Sequence, residues 1–289
     1  MGQLARENHS SGVNWKSVAA EPGAVMRKVI STTLLVFFLL MLFGCGAANL
    51  APSLNSSGQQ FSMAKGNWNF SASSSTNPDS GQFLIGGHLE QSRDAVTGIL
   101  HIASSRCFKV DQDIPISGTI EDGTANLTSL PIDHQVLHAS VIGHDSSMVG
   151  NYSFIGGCSN GDEGSLTGNL VPPVSGIWNA LETQPDKSVT GVNLALAQSA
   201  SANAHGVYPL SGTLSFTASP CQISGRVTSG YVAGSIVILN AETQEATGDS
   251  GSLRMEGDFA AGHTPSIVGA YSYATGACKD HAGVLTFTP

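Results

Sequence analysis

Charge is scarce in this 289-residue chain. Only 11% of the residues are Asp, Glu, Lys or Arg, and the basic ones are the rarer, 12 against 21 acidic, for a net charge of −9. An acidic surface repels phosphate backbones, which sets the chain against nucleic-acid binding. Recognisable catalytic signatures are also missing: there is no Walker loop, Rossmann fingerprint, His-Glu-x-x-His pair or Gly-x-Ser-x-Gly elbow. Beyond residue 45 no amphipathic helical period runs longer than three turns. The expectation is a helix-poor, non-enzymatic chain that needs no cofactor and no metal.

What is present is glycine, 34 residues of it, and a period of two. Strings such as Val149-Gly150-Asn151-Tyr152-Ser153-Phe154 alternate apolar with small or polar residues, the pattern of half-buried strands. Eight such runs are read at 65–70, 82–91, 95–102, 112–120, 124–131, 135–142, 147–155 and 164–171. Turns such as Glu121-Asp122-Gly123 and Asn160-Gly161-Asp162 separate them.

The pattern occurs twice. Gly66-Asn67-Trp68-Asn69 returns as Gly176-Ile177-Trp178-Asn179, Ile116-Ser117-Gly118 as Ile223-Ser224-Gly225, Gly150-Asn151-Tyr152 as Gly269-Ala270-Tyr271, and Gly164-Ser165-Leu166-Thr167 as Gly283-Val284-Leu285-Thr286. Four landmarks in one order imply two homologous modules, 63–172 and 174–289, joined by a short stiff hinge at Pro172-Pro173. The fold class expected is all-β, with two tandem antiparallel barrels or sandwiches of about eight strands each. Among the three pairings open to Cys107, Cys158, Cys221 and Cys278, the repeat selects Cys107–Cys158 and Cys221–Cys278, because only these keep each module self-contained. Loops of 51 and 57 residues would then be closed, each worth ~4 kcal/mol in the chain-entropy model. Free buried cysteines are the other reading.

The N-terminal region reads as an address. Residues 1–25 show no sustained hydrophobic period and are taken as a misassigned start or a disordered extension. Met26-Arg27-Lys28 then opens an export signal, 26–44, whose 15-residue apolar run from Val29 to Phe43 is short of the ~20 residues of a membrane span. Leu42-Phe43-Gly44-Cys45 resembles the lipobox of bacterial lipoproteins. That resemblance implies that Cys45 is acylated, with palmitate or a similar chain, becomes the mature N-terminus and holds the protein at a membrane. An ordinary secretory signal is the plainer alternative. Residue 46 is Gly rather than Asp, which by likeness to the sorting rule of enteric bacteria implies the outer membrane of the cell envelope. Residues 45–62 read as a flexible tether. From Cys45 onward the chain keeps 8 basic and 19 acidic residues, a net charge of −11.

Gly-x-Trp at the head of a β-meander resembles the lipocalin and avidin superfamily, and the resemblance implies barrels in which Trp68 and Trp178 each plug one end. With Tyr152 and Tyr271 they are expected to be structural core residues rather than stacking platforms for a ligand.

Other constellations are weighed on their residue types. His134, His138 and His144, with Asp133 and Asp145, are dense enough for zinc. However, residues four apart on a strand lie ~13 Å apart and cannot chelate one ion unaided, and the second module aligns Arg254 and Glu256 there instead. Gly248-Asp249-Ser250-Gly251 looks like the nucleophile segment of chymotrypsin-like proteases, yet His205 lacks that family's setting, and a hairpin turn is the better reading. Asn160-Gly161-Asp162-Glu163 offers too few ligands for calcium.

The function expected is therefore a membrane-anchored extracytoplasmic lipoprotein acting as a structural or interaction module, its partner an envelope protein. The alternative is lipocalin-like binding of a small apolar ligand, and a hydrolase is a third reading. Mass spectrometry of the native protein should find an N-terminal, acylated Cys45; an intact Met1 or an unmodified Cys45 would exclude the anchor.

Overall fold

The computed structural model describes residues 64–76, 82–103, 105–109, 112–183 and 189–289. Cys45, the signal 26–44 and the tether 45–62 lie outside the described residues. Sixteen strands follow one another and no helix occurs among the described residues. The first eight are β1 (Gly66–Ser74), β2 (Gln82–Ser92), β3 (Ala95–Ala103), β4 (Ile114–Glu121), β5 (Thr124–Ser129), β6 (Val136–His144), β7 (Ser147–Ile155) and β8 (Glu163–Leu170). They match the eight expected runs, with ends shifted by a few residues. The second eight are β9 (Gly176–Thr183), β10 (Val189–Gln198), β11 (Tyr208–Thr217), β12 (Gln222–Ala233), β13 (Ile236–Glu245), β14 (Ser250–Ala260), β15 (Ser266–Thr275) and β16 (Ala282–Phe287).

Each strand pairs antiparallel with the next, and β8 returns to β1, so the first module is a closed up-and-down barrel. Tight turns make this meander possible. The two residues between β4 and β5, Asp122 and Gly123, have φ of 50° and 78°, the mirror-image turn whose twist matches paired strands. Along β1 the side chains of Trp68, Phe70 and Ala72 are buried in the core, and Ile85, Leu89, Leu100, Ile102, Met148 and Leu166 meet them there. A second, separate core is built from Trp178, Leu194, Leu214, Leu239, Met255 and Phe287.

The two modules repeat each other in detail. Indole Nε1 of Trp68 donates to the carbonyl of Ala64 and that of Trp178 to the carbonyl of Val174, both at 3.0 Å. The amide of Ala64 donates to Gln91 Oε1, and that of Val174 to Gln198 Oε1. Each indole is thus buried with its one donor satisfied, and the chain entering the first strand is tied over it. Disulfides Cys107–Cys158 and Cys221–Cys278 link the loop after the third strand to the loop after the seventh in one barrel, and the corresponding loops in the other, with Cα atoms 5.5 and 6.0 Å apart. This is the pairing that leaves each module self-contained.

One feature is not repeated. The β1–β8 seam is paired from Trp68–Leu170 to Ser74–Gly164. Asn179 on β9 and Thr288, the residue after β16, exchange hydrogen bonds of 2.7 and 2.9 Å, and among the described residues no backbone pair joins the two strands themselves, which stand at opposite edges of the second sheet. The second barrel is curled but not zipped.

The barrels are joined by more than the connection through Pro172 and Pro173. The β12–β13 turn lies on the outer wall of the first barrel, where Asn67 accepts from the Gly234 amide (2.7 Å) and donates to its carbonyl (3.0 Å). Gly234 has φ of 58°, and a Cβ there would come within 2.5 Å of the Gly86 Cα. Only glycine permits so close an approach in a left-handed conformation. Ala233, Ile236 and Ile238 are buried yet belong to neither barrel's core cluster.

Trp68 is 1% exposed. Trp68→Ala should therefore destabilise by about 3–5 kcal/mol through the cavity it opens, read as a shift in the denaturant midpoint; a loss below about 1 kcal/mol would show that the indole is not part of the core.

Candidate functional site

The residues singled out from sequence fall into three places. Trp68, Trp178, Tyr152 and Tyr271 are core residues, each 4% exposed or less. The four cysteines staple loops at one end of each barrel. The histidine group is dispersed. His134 does not share a strand face with His138, as the spacing suggested, because it sits in the turn before β6 with φ of 64°. His138 meets Thr128 Oγ1 across the sheet at 3.2 Å, and His144 pairs with its neighbour Asp145 at 3.0 Å on an exposed hairpin. No cluster of three metal-ligating side chains occurs among the described residues. Gly248 and Asp249 belong to the turn that leads into β14, where the Gly248 amide donates to the Glu245 carbonyl, and Ser250 opens that strand. Asp162 is a fastening point at the foot of the first barrel, accepting from Ser74 Oγ (2.6 Å) and, more weakly, from Tyr152 OH (3.4 Å).

Among the described residues, the spaces enclosed within the two barrels are too small for a ligand. The free volume is about 10 Å³ in the first, among Phe70, Ile85, Leu100 and Leu166, and about 20 Å³ in the second. Each would take about one water molecule, whereas small-molecule sites run from roughly 300 Å³ upward. A space of about 310 Å³ does exist outside the barrels, in an open groove where Pro172 and Pro173 pass Trp178, Phe259 and Pro265.

The interiors differ in polarity, which the repeat landmarks did not reveal. Register places Glu182 where the first module has Ala72, Tyr273 where it has Phe154, and His281 where it has Asp162. Tyr271 OH donates to the Glu182 carboxylate, His281 Nε2 lies 3.6 Å from the same carboxylate, and the Tyr273 ring stacks on His281. Burial, aided by the Glu182 charge, holds the Tyr273 phenol well above its ordinary pKa. In the first barrel, burial and then the Asp162 charge push Tyr152 up to about 12. Both barrels satisfy their seventh-strand tyrosine with a carboxylate, supplied from β9 in one and from the loop before β8 in the other.

A second polar group, also missed from sequence, lies between the barrels. Tyr208 OH is 2.7 Å from His88 Nδ1, whose Nε2 is 3.3 Å from Glu90. Glu90 also pairs with Lys65 at 2.9 Å, and this bond lowers its pKa. Next to this set, His101 Nε2 is 2.9 Å from the His205 carbonyl, and His205 Nδ1 is 2.7 Å from Asp113. Isolated histidines on polar strand positions carry no periodic signal, and their partners are more than 90 residues away in sequence. These contacts lock the β10–β11 loop and β11 of the second barrel to β2 and β3 of the first.

Neither a protein-family model nor a curated protein matches this chain. A solved structure, the crystal structure of a protein of unknown function of the DUF3598 family from Nostoc punctiforme, is similar at 13% identity, covering 79% of this chain and 96% of its own, with a TM-score of 0.23.

The buried phenols make an alkaline prediction. Tyr152, Tyr208 and Tyr273 all have raised pKa values in the folded protein, so unfolded chains lose these protons first. Stability should be fully present below pH 10, the ordinary phenol value, and decline as pH rises through about 12. Denaturant unfolding across that range, with ultraviolet phenolate titration, measures it; flat stability would contradict the buried placement.

Proposed function

We propose that the chain is a lipid-anchored extracytoplasmic protein whose two barrels act as one non-catalytic interaction module. The observation that carries this reading is the small size of the spaces inside the two barrels, about 10 and 20 Å³ among the described residues, which favours the outer walls and edges as the recognising surfaces. The joint supports it as well: Asn67, His88, His101 and Asp113 fix one barrel on the other, so the pair presents its surfaces in one arrangement. Leu42-Phe43-Gly44-Cys45 supplies the anchor by its resemblance to a lipobox, and the acidic net charge argues against nucleic acid. Cell-envelope placement rests on the same resemblance, and the outer membrane on Gly46 beside it. Among the described residues no helix is long and apolar enough to cross a membrane.

Lipocalin-like binding of an apolar ligand is the second reading. It is favoured by the Glu182, Tyr271 and His281 set lining one end of the second barrel, which could hold a polar head group, and it requires that barrel to open.

Two measurements separate the readings. Cys45→Ser should move the protein from the membrane fraction to the soluble fraction. Saturating fatty acid should leave the melting temperature within about 1 °C, whereas a ligand at 100 times its dissociation constant would add about 2.7 kcal/mol and raise it by several degrees.

A further inference from the structure

The unzipped seam of the second barrel carries one step more. Asn179 and Thr288 exchange both of their backbone hydrogen bonds across it. In an antiparallel pair the hydrogen-bonding residues alternate, so Leu181 and Thr183 on β9, and Thr286 and Val284 on β16, also turn their backbone groups into the seam. In the first barrel the corresponding residues are zipped, as Ser71–Thr167 and Ser73–Ser165. Among the described residues those of the second barrel have no backbone partner across the gap.

The repeat supplies an internal control for the side chains. Where the closed seam is flanked on the outside by Ser71 and Ser165, the open one is flanked by Leu181 and Val284, which are 76% and 57% exposed. Ile177, Val189 and Val268 extend this apolar surface onto β9 and the neighbouring strands β10 and β15. Unpaired strand edges are normally short, charged or covered, because they invite another strand. This one is lined with aliphatic residues instead.

We infer that the β9–β16 seam is a docking site for an extended segment of a partner protein, which adds to the second barrel by strand pairing. The inference rests on the reading of the chain as an interaction module and names the kind of partner. The occupant follows from the groups to be satisfied. Alternating N–H and C=O groups at strand spacing are matched by another extended backbone, and neither an apolar small molecule nor a lipid surface can pair with them. Leu181 and Val284 would select a segment with aliphatic side chains at alternate positions.

The test uses the full chain and a labelled peptide copying His281 to Pro289, the sequence that carries the one backbone pairing β9 makes across the seam. Fluorescence anisotropy should show binding. Oxidised Leu181→Cys/Thr286→Cys, which face each other in the register set by Asn179 and Thr288 and would come within the ~5.5 Å Cα separation a disulfide tolerates once the strands pair, should zip the seam and weaken binding at least about tenfold. Leu181→Ser/Val284→Ser, which installs the first module's residues, should weaken it similarly while far-ultraviolet circular dichroism and melting temperature stay unchanged. Binding that survives the lock overturns the seam and leaves the interaction module standing, and so does an absence of binding to the wild-type chain. Self-association abolished by the lock would put a second copy in place of the partner strand and overturn the proposal. Failure of the module reading itself shows elsewhere, as stabilisation by fatty acid.

Discussion

Closure of a single-layer sheet is the constraint from which the rest follows. A strand pairs all of its backbone within the protein only when both edges have neighbours, so an eight-stranded meander leaves no open edge when its last strand returns to its first. In the first barrel β8 does so along most of β1, and the interior becomes a fixed volume into which every second side chain points. Trp68, Phe70 and Leu100 are among the large residues that pack into that volume. Glycines at the strand crossings, such as Gly168 beside the Phe70 ring, leave room for the large residues opposite. The disulfide and the Ala64–Trp68–Gln91 ties then hold the two ends.

The second barrel obeys the same constraint less completely. Its tryptophan, glutamine and disulfide ties are copies of the first. Its interior nevertheless accepts Glu182 on the first strand, where the first barrel has an alanine. A carboxylate inside an apolar barrel must be hydrogen-bonded, and Tyr271 and His281 gather round it at the end where β9 and β16 separate. Duplication thus preserved the closing elements and allowed the wall to diverge.

The joint turns two barrels into one body. Close backbone approach at Gly86 and Gly234, the paired bonds of Asn67 and the histidine contacts of β2 and β3 are specific rather than greasy. A joint of that kind fixes orientation, since removing one partner leaves buried polar groups unsatisfied. The open seam is consequently held at a defined position relative to the first barrel.

Much of this was legible in the chain itself. Strand positions followed from a period of two that local residues set, and turns from Asp122-Gly123 and similar pairs whose backbone preference is intrinsic. The repeat, and with it the disulfide pairing, followed from landmarks whose order needs no structure. Trp68 and Tyr152 were legible as core because their size and spacing admit few other places. Where His134 was placed on a strand with His138, the left-handed turn at Asp133 and His134 overrode the simple count. Other features belong to the tertiary structure alone. Whether a barrel interior is full or hollow depends on how sixteen strands' side chains interlock, a sum of volumes that alternation does not reveal. The meeting of His88 with Tyr208, of Asn67 with Gly234, and the missing pairs between β9 and β16 each join residues about 100 or more apart. No local pattern encodes such contacts, because their energy exists only once the chain has folded.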